Sequence, residues 1–356
     1  MSYEDSPKHG QMEISVFSRG IGECIIVRSP DEQWMIIDSL VGANKEPVAL
    51  TYLRDIGVSL DKVSLILATH WHDDHIRGLS KIIRKCPAAQ VAYSTVLCRD
   101  EFKSTVSKIR PVTNITLTSG VAELQEIGKI IAQDPHRRIL ASARTILFEQ
   151  NGVRVEALSP SHEDVHQFLQ EIEKWGGESD VQRVIVKPRR NDTSVAVVVH
   201  MSDDLLLLGA DLEVRGALSG WQAVHESAWG QRGKGIFFKI AHHGSITGHY
   251  EPIWDEMLIG TPWAAITPYN RGRKKLPDSE DVQRIVERTE NCYSAGRVDV
   301  VRSRRQHNTV QKTLNEAGIG LWRVDESLGQ ARFRKNVGTN WNVELFGEAH
   351  RLANAA

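Results

Sequence analysis

Hydrophobic positions along the chain fall into short strand-length runs, gathered in two blocks and separated by stretches with helical spacing. In the first block "MEISVFS" alternates, "GIGE" turns, "CIIVRS" returns, "PDE" turns again and "WMIID" runs into the interior. Period-two alternation punctuated by Gly and Pro predicts a meander of three strands. A helix is expected over "EPVALTYLRDIG", stopped by Gly57. The buried strand "KVSLILA", an amphipathic helix over "IRGLSKIIRKC" and the strand "QVAYST" complete this block.

Helical spacing returns in "VAELQEIGKIIAQD" and in "EDVHQFLQEIEKW", the latter with Gly176–Gly177 as its stop. Between them "TILFEQNGVRVEALSP" carries the Asn-Gly pair of a tight hairpin. The second strand block reads "SVAVVVHM", the turn "SDD", "LLLLGAD", "IFFKIAHHGS" and "WAAITPYN", followed by a helix over "SEDVQRIVERT". Past residue 300 come the helical "NTVQKTLNEAG" and the strand-like "GLWRVD", "GQARFRK" and "WNVELFG". Two strand blocks, each with its own helices, predict an α/β fold in which two sheets pack face to face with helices outside. The expected division is one large domain over 1–300 and a short C-terminal α/β extension over 301–356 packed on it.

Composition changes this picture little. At 356 residues, with 41% hydrophobic and 25% charged side chains, the chain can bury a large core. A formal charge of −1 gives no global attraction to polyanions, so any contact with nucleic acid must come from local patches. The apolar runs are too short to span a bilayer. The opening "MSYEDSPKHG" lacks the apolar stretch of a secretory signal, and Cys24, Cys86, Cys98 and Cys292 are scattered without metal or disulfide spacing. A cytoplasmic protein without membrane contact is expected.

The candidate chemistry sits in "THWHDDH", residues 69–75, at the end of a strand that should be buried. His70 and His72, two apart in an extended turn, can turn their rings the same way, and Asp74 and His75 open onto a neighbouring point. Crowding these groups without a cation would leave several of them desolvated and poorly paired. Mixed imidazole and carboxylate donors suit zinc, manganese or iron.

His70-x-His72-x-Asp74-His75 after a buried strand resembles the signature of the metallo-β-lactamase superfamily, whose αββα sandwich holds a dinuclear metal site. The resemblance implies further positions. Asp38, ending "WMIID", would orient a ligand histidine; Asp211, ending "LLLLGAD", would bridge two metals; and His243 in "KIAHHGS" would be the last histidine ligand. One expected histidine is absent, and "RRNDTS" places Asn191 and Asp192 there instead. Either Asp192 supplies an oxygen or the site holds more water, and both shift the expected pair of cations from Zn²⁺ toward Mn²⁺. The order and spacing of "SVFSRGIGECIIVRSPDEQWMIID", "NDTSVAVVV", "LLLLGAD", "AHHGS" and "AAITPYNRGRKKLPDSEDVQRI" are similar to the soluble hydrolase domain of ComEC-type competence proteins over about residues 12–290.

That resemblance implies a metal-dependent hydrolase in which His70 and His72, with Asp192 a weak candidate, hold one metal. Asp74, His75 and His243 hold the other, the pair activating a water as hydroxide. Asp74 is also expected to orient that hydroxide, and His242 to touch a phosphate or protonate a leaving group. Phosphodiesters, DNA among them, are the implied substrates. Basic loops agree: Lys187, Arg189 and Arg190 abut the 191 motif, and Arg271, Arg273, Lys274 and Lys275 follow "ITPYN", with Arg302, Arg304 and Arg305 further on. The rival readings are a hydrolase of small phosphoesters or other esters on the same fold, and a non-catalytic subunit of a larger assembly. The C-terminal extension is the expected contact for a protein partner or a second copy.

Overall fold

The computed structural model describes residues 5–98, 119–176, 190–271, 275–298 and 327–355. Strands β1 (Gln11–Ser18), β2 (Glu23–Arg28), β3 (Trp34–Ile37), β4 (Val63–Ala68), β5 (Gln90–Ser94) and β6 (Arg138–Ala141) belong to one sheet. The second sheet takes β7 (Ile146–Gln150), β8 (Val153–Ala157), β9 (Val197–Met201), β10 (Asp204–Leu208), β12 (Gly235–Lys239), β13 (Leu258–Ile266) and β14 (Cys292–Ser294), while β11 (Val214–Gly216) stands outside both. Late in the chain β15 (Gly329–Asn336) and β16 (Asn342–Gly347) return to the first sheet and β17 (His350–Arg351) to the second. The orders are β16-β15-β1-β2-β3-β4-β5-β6 and β17-β14-β13-β12-β10-β9-β8-β7.

Each sheet is half antiparallel and half parallel. In the first, β3, β4, β5 and β6 run parallel; in the second, β10, β12, β13 and β14 do. Parallel neighbours end at the same edge, and that edge is where α/β sheets present their chemistry. The residues just past β3, β4, β10, β12 and β13 are Asp38, Thr69–His70, Asp211, His243 and Thr267, so every strongly polar strand end noted above belongs to this parallel half.

Period-two burial sorts the side chains into three clusters. Met12, Ile14, Val16, Ile25, Val197, Leu206, Phe237 and Phe333 fill the space between the sheets. Ile26, Ile36 and Ile66 point to the opposite face of the first sheet and meet α1 (Val48–Asp55), α3 (Leu79–Lys85), α4 (Ser119–Gln133) and α5 (His162–Gly176) through Leu53, Ile82, Ile127 and Phe168. On the far face of the second sheet Val198, Leu207 and Phe238 meet α6 (Gly220–Ala223) and α7 (Ser279–Arg288) through Trp221, Val282 and Ile285. Three apolar layers between four structural ones make the αββα sandwich that the strand blocks predict. Among the described residues no helix is long and apolar enough to cross a membrane.

Local expectations hold in most places. Gly57, at φ +73°, closes α1 in a Schellman motif: its N–H donates to Arg54 O and that of Val58 to Leu53 O. Asn151 and Gly152 take positive φ in the β7–β8 hairpin. Two expectations change. The helix over 76–86 is broken into α2 (Asp73–Ile76) and α3, because Gly78 adopts φ +86° and a Cβ there would lie 2.8 Å from Val41 Cγ2. The described part of the C-terminal extension is woven into the core: β15 pairs with β1 over its whole length, and β17 pairs with β14, so the tail lengthens both sheets. "GLWRVD", "NTVQKTLNEAG" and Gly177 lie outside the described residues.

The sheets are also joined by one buried ion pair. Lys239 at the end of β12 and Glu23 at the start of β2 are both fully buried and 2.6 Å apart. Burial raises the Glu23 carboxyl, and the charges of Lys239, His75 and His243 together lower it by more, so the carboxylate is the bound form. Lys239→Met alone should therefore destabilise the protein by about 3–5 kcal/mol, because it strands Glu23, whereas the double change Glu23→Leu, Lys239→Met should cost much less. Denaturant unfolding reads the difference, and equal losses in the single and double variants would show that the pair is uncoupled.

Candidate metal centre

The centre is assembled where the chain leaves the strands, in backbone that ordinary residues avoid. Asp38 (φ 59°), Ala210 (φ 47°), His242 (φ 47°) and His243 (φ 55°) all adopt left-handed conformations. Such strain persists only where surrounding contacts over-determine it. Gly22, at φ +93°, lets the β1–β2 turn approach the motif: a Cβ there would lie 3.2 Å from Asp74 O.

Within "THWHDDH" the side chains divide by direction. Trp71 packs into the outer core of the first sheet while His70 and His72 turn the other way. Asp73 accepts a hydrogen bond from Gly120 N at 2.7 Å and so anchors the start of α4 against the loop. Asp74 and His75 from α2, with Asp211 beyond β10 and His243 beyond β12, complete the cluster.

Three hydrogen bonds fix the rings. Asp38 is fully buried; its Oδ1 accepts from Thr69 N at 2.8 Å and its Oδ2 from Thr69 Oγ1 at 2.6 Å and from His75 Nδ1 at 2.7 Å. Since the Thr69 hydroxyl proton points to Asp38, its oxygen accepts from His70 Nδ1, 3.0 Å away. His243 Nδ1 donates to the carbonyl of Thr267 at 2.9 Å. Each ring thus spends its Nδ1–H on a fixed acceptor and turns Nε2 inward, the nitrogen that would bind a cation.

The inward atoms meet one another without satisfying one another. His70 Nε2 lies 2.9 Å from His72 Nδ1 and 3.6 Å from Asp211 Oδ2. His75 Nε2 lies 3.5 Å from Asp211 Oδ1, and His243 Nε2 is 3.5 Å from Asp74 Oδ2 and 3.6 Å from Asp211 Oδ2. The His70–His72 contact is a hydrogen bond, whereas every nitrogen-to-carboxylate separation exceeds a good one. His75 Nε2 and Asp211 Oδ1 are buried with no hydrogen-bond partner among the described residues. Burial opposes ionisation of Asp74 and Asp211, but the facing histidines outweigh it and hold both carboxyls well below their usual range. A buried, unpartnered ring nitrogen beside ionised carboxylates is what a divalent cation would satisfy, and the donor set fits one.

The donors fall into groups whose ligand atoms lie within 4.8 Å of one another: His70, His72 and Asp211; Asp74, His75 and His243; and Asp38, His70 and His75. The sequence expectation divides the histidines and Asp74 in the same way but gives Asp211 to both metals, and Asp211 stands only in the first group. In the third, both Asp38 oxygens are already engaged, so Asp38 supports the rings. Asp192 is turned away. It is buried and ion-paired with Arg215 at 2.7 Å, and it stands in none of these groups.

His242 faces a second network that the sequence does not disclose. Its Nδ1 lies 2.9 Å from Glu213 Oε1 and 2.7 Å from Thr247 Oγ1, and its Nε2 is 3.2 Å from Asn191 Nδ2. Burial lowers the His242 pKa, and the Glu213 bond together with the Asp211 and Glu213 charges raises it by more. Neither Glu213 nor Asn191 follows a strand-end carboxylate or histidine pattern, so no sequence signal marks their contact. Asp211 caps no helix: β11 follows it instead.

One family model, described as the metallo-beta-lactamase superfamily, matches residues 18–232, more than half of the chain. The chain belongs to the metallo-beta-lactamase superfamily. Solved structures to which this chain is similar include MEM-A1, a subclass B3 metallo-beta-lactamase from a soil metagenome library, at 15% identity over 69% of this chain and 84% of that one, with a TM-score of 0.37. YhfI from Bacillus subtilis, a metallo-beta-lactamase fold protein, is 11% identical over 64% and 70%, with a TM-score of 0.33. The hydrolase AbOPH is 16% identical over 53% and 55%, with a TM-score of 0.32. No curated protein sequence matches this chain. Metallo-beta-lactamase superfamily proteins are generally metal-dependent hydrolases that bind divalent ions, and this chain has the ligand clusters for it.

Of the cations expected around this metallo-beta-lactamase centre, Lys187, Arg189, Arg273 and Lys274 lie outside the described residues, as do Arg302, Arg304 and Arg305, and Arg190 opens the turn Arg190–Thr193. Arg271 is exposed, two residues beyond Tyr269. The Tyr269 ring lies against His243, with centroids 5.4 Å apart and planes tilted by 32°. Burial, and then the Asp74 carboxylate, raise the Tyr269 hydroxyl above its ordinary range, while Arg271 acts the other way.

Two outcomes are expected. Asp38→Ala should weaken Zn²⁺ or Mn²⁺ binding about 10–100-fold by freeing the His75 and His70 rings, as a chelator-competition titration would read. Burial lowers the His75 pKa, but Asp211 and Asp38 hold it well above the ordinary imidazole value, so a cation must displace its proton. Affinity should then rise with pH, by up to about tenfold per unit, until that pKa is passed. Calorimetry in two buffers of different ionisation enthalpy should show the released proton, and a pH-independent affinity would contradict the assignment.

Proposed function

We propose that this metallo-beta-lactamase-fold hydrolase is a phosphodiesterase acting on DNA. Hydrolysis by this fold rests on the converging donors of His70, His72, Asp74, His75, Asp211 and His243. The phosphodiester reading is carried by one observation beyond them: the Tyr269–Arg271 loop leans on the ligand His243 and offers a hydroxyl and an exposed guanidinium at the same edge. The likeness of "NDTSVAVVV", "AHHGS" and "ITPYNRGRKKLP" to ComEC-type hydrolase domains supports it independently.

Bound divalent cations would supply Lewis acidity and a hydroxide from water near neutral pH. His70, His72 and Asp211 would hold one, and Asp74, His75 and His243 the other. The chain's own groups do the remaining work. Asp38, Thr69 and the Thr267 carbonyl keep three imidazoles in the binding tautomer. Arg271, with the basic residues that flank it in sequence, grips the phosphate backbone without reading bases. Tyr269, protonated at neutral pH, can donate a hydrogen bond to a non-bridging oxygen. His242, with Nδ1 held by Glu213, keeps its ring beside His243 and faces Asn191 with Nε2, so a role on a leaving group requires that Asn191 contact to open.

Purified protein with Mn²⁺ should cut linear or single-stranded DNA, and His72→Ala or Asp211→Ala should abolish cutting. Cleavage that survives both changes would end the proposal, and turnover of bis-p-nitrophenyl phosphate with none of polynucleotides would favour the small-substrate reading. Arg271→Glu should weaken DNA binding across sequences and reduce the slope of log affinity against log salt by about one; an unchanged slope would remove Arg271 from the interface.

A further inference from the structure

The position where the superfamily resemblance calls for a histidine is occupied by a turn whose polar atoms are left over. Residues Arg190–Thr193 form a single 3₁₀ turn, closed by Ser194 N donating to Asn191 O at 3.0 Å. The next residue, Val195, donates its N–H to Thr69 O at 2.9 Å, which pins the turn to the first residue of "THWHDDH". On its other sides the turn meets Glu213, two residues past Asp211, and His242, one residue before His243. It therefore lies among the elements that carry the donors of both groups.

Asp192, the expected oxygen donor, is committed to Arg215. Its neighbours are not so committed. The Asn191 amide nitrogen is taken up by His242 Nε2 at 3.2 Å and Glu213 Oε1 at 3.3 Å, which turns the amide oxygen the opposite way. Asn191 Oδ1, Thr193 Oγ1 and Ser194 Oγ are all buried, and none has a hydrogen-bond partner among the described residues. Thr193 and Ser194 are fully buried. Three orphaned oxygens within four residues would each carry a desolvation cost with nothing returned, unless a polar guest satisfies them. Of the two donor groups, that of His70, His72 and Asp211 begins directly after Thr69, to which the turn is pinned, and offers two nitrogens and one carboxylate, one or more short of a full shell.

We infer that Asn191 Oδ1 takes the place of the missing histidine as a ligand of the cation held by His70, His72 and Asp211, with the Thr193 and Ser194 hydroxyls holding that cation's water. This rests on the metal-dependent reading above and adds a consequence to it. Exchanging an imidazole for an amide oxygen and water makes this half of the centre harder and weaker, so the two halves differ. The Asp74–His75–His243 half retains zinc-like chemistry, while the other half discriminates less against Mn²⁺.

The test is metal binding by the full-length protein stripped with chelator, read by calorimetry and by elemental analysis after dialysis. Wild type should take up two Mn²⁺ with unequal affinities. Asn191→Ala should weaken only the weaker site, by tenfold or more, and Thr193→Val should weaken the same site by less. Asn191→His should make that site bind Zn²⁺ at least tenfold more tightly than wild type does. Circular dichroism establishes that each variant is folded, and the gain in Asn191→His cannot arise from misfolding. Wild-type affinities at both sites in Asn191→Ala, with no gain in Asn191→His, would overturn the inference while leaving the centre intact. If His72→Ala also leaves metal uptake unchanged, the metal-dependent reading falls with it.

Discussion

The constraint on which the structure depends is a crowd of buried donors that cannot neutralise one another. His70, His75 and His243 each have Nδ1–H committed to a fixed acceptor, so Nε2 of each ring turns inward. Those nitrogens face Asp74 and Asp211, which are themselves held in the ionised form. Rotation cannot relieve the arrangement, because Asp38, Thr69 and the Thr267 carbonyl hold the rings from behind. A centre of this kind trades folding stability for a preformed cation site, and the rest of the sandwich keeps it from relaxing.

The fold supplies that rigidity by its topology. The donors sit at the carboxyl ends of β3, β4, β10 and β12, which end together because each sheet is parallel on that half. Behind them, Glu23 and Lys239 tie the sheets together, and Thr267 Oγ1 donates to Glu23 Oε2 at 2.5 Å, which links the pair to the residue whose carbonyl orients His243. The same scaffold places Tyr269 against His243 from the end of β13. Ligand aim, sheet pairing and the candidate substrate loop are thus properties of one edge of the sandwich.

Much of this was legible in the residues. Alternation and turn chemistry located the β1–β3 meander, the Asn151–Gly152 hairpin and the β9–β10 pair, since these are set by neighbours a few positions apart. The strand-end carboxylates and histidines stood out for a similar local reason: a charged group directly after an apolar run has no inexpensive place in a core. The break at Gly78 was not legible, because Gly78 yields to a contact with Val41, 37 positions away in sequence. Nor was the role of the tail, since "GQARFRK" and "WNVELFG" read as strands without stating which sheet would take them.

By itself, the sequence determined most of the strands, the faces they bury and the histidines and carboxylates at strand ends that could bind a metal, because each of these follows from local spacing and side-chain type. Only the tertiary structure decided which acceptor each imidazole bonds, that Asp192 turns to Arg215 while Asn191 reaches Glu213 and His242, and that β15 and β17 complete separate sheets. Those outcomes depend on contacts between residues tens to hundreds of positions apart. Their energies come from burial and direction in three dimensions, and neither is encoded in the spacing of residues along the chain.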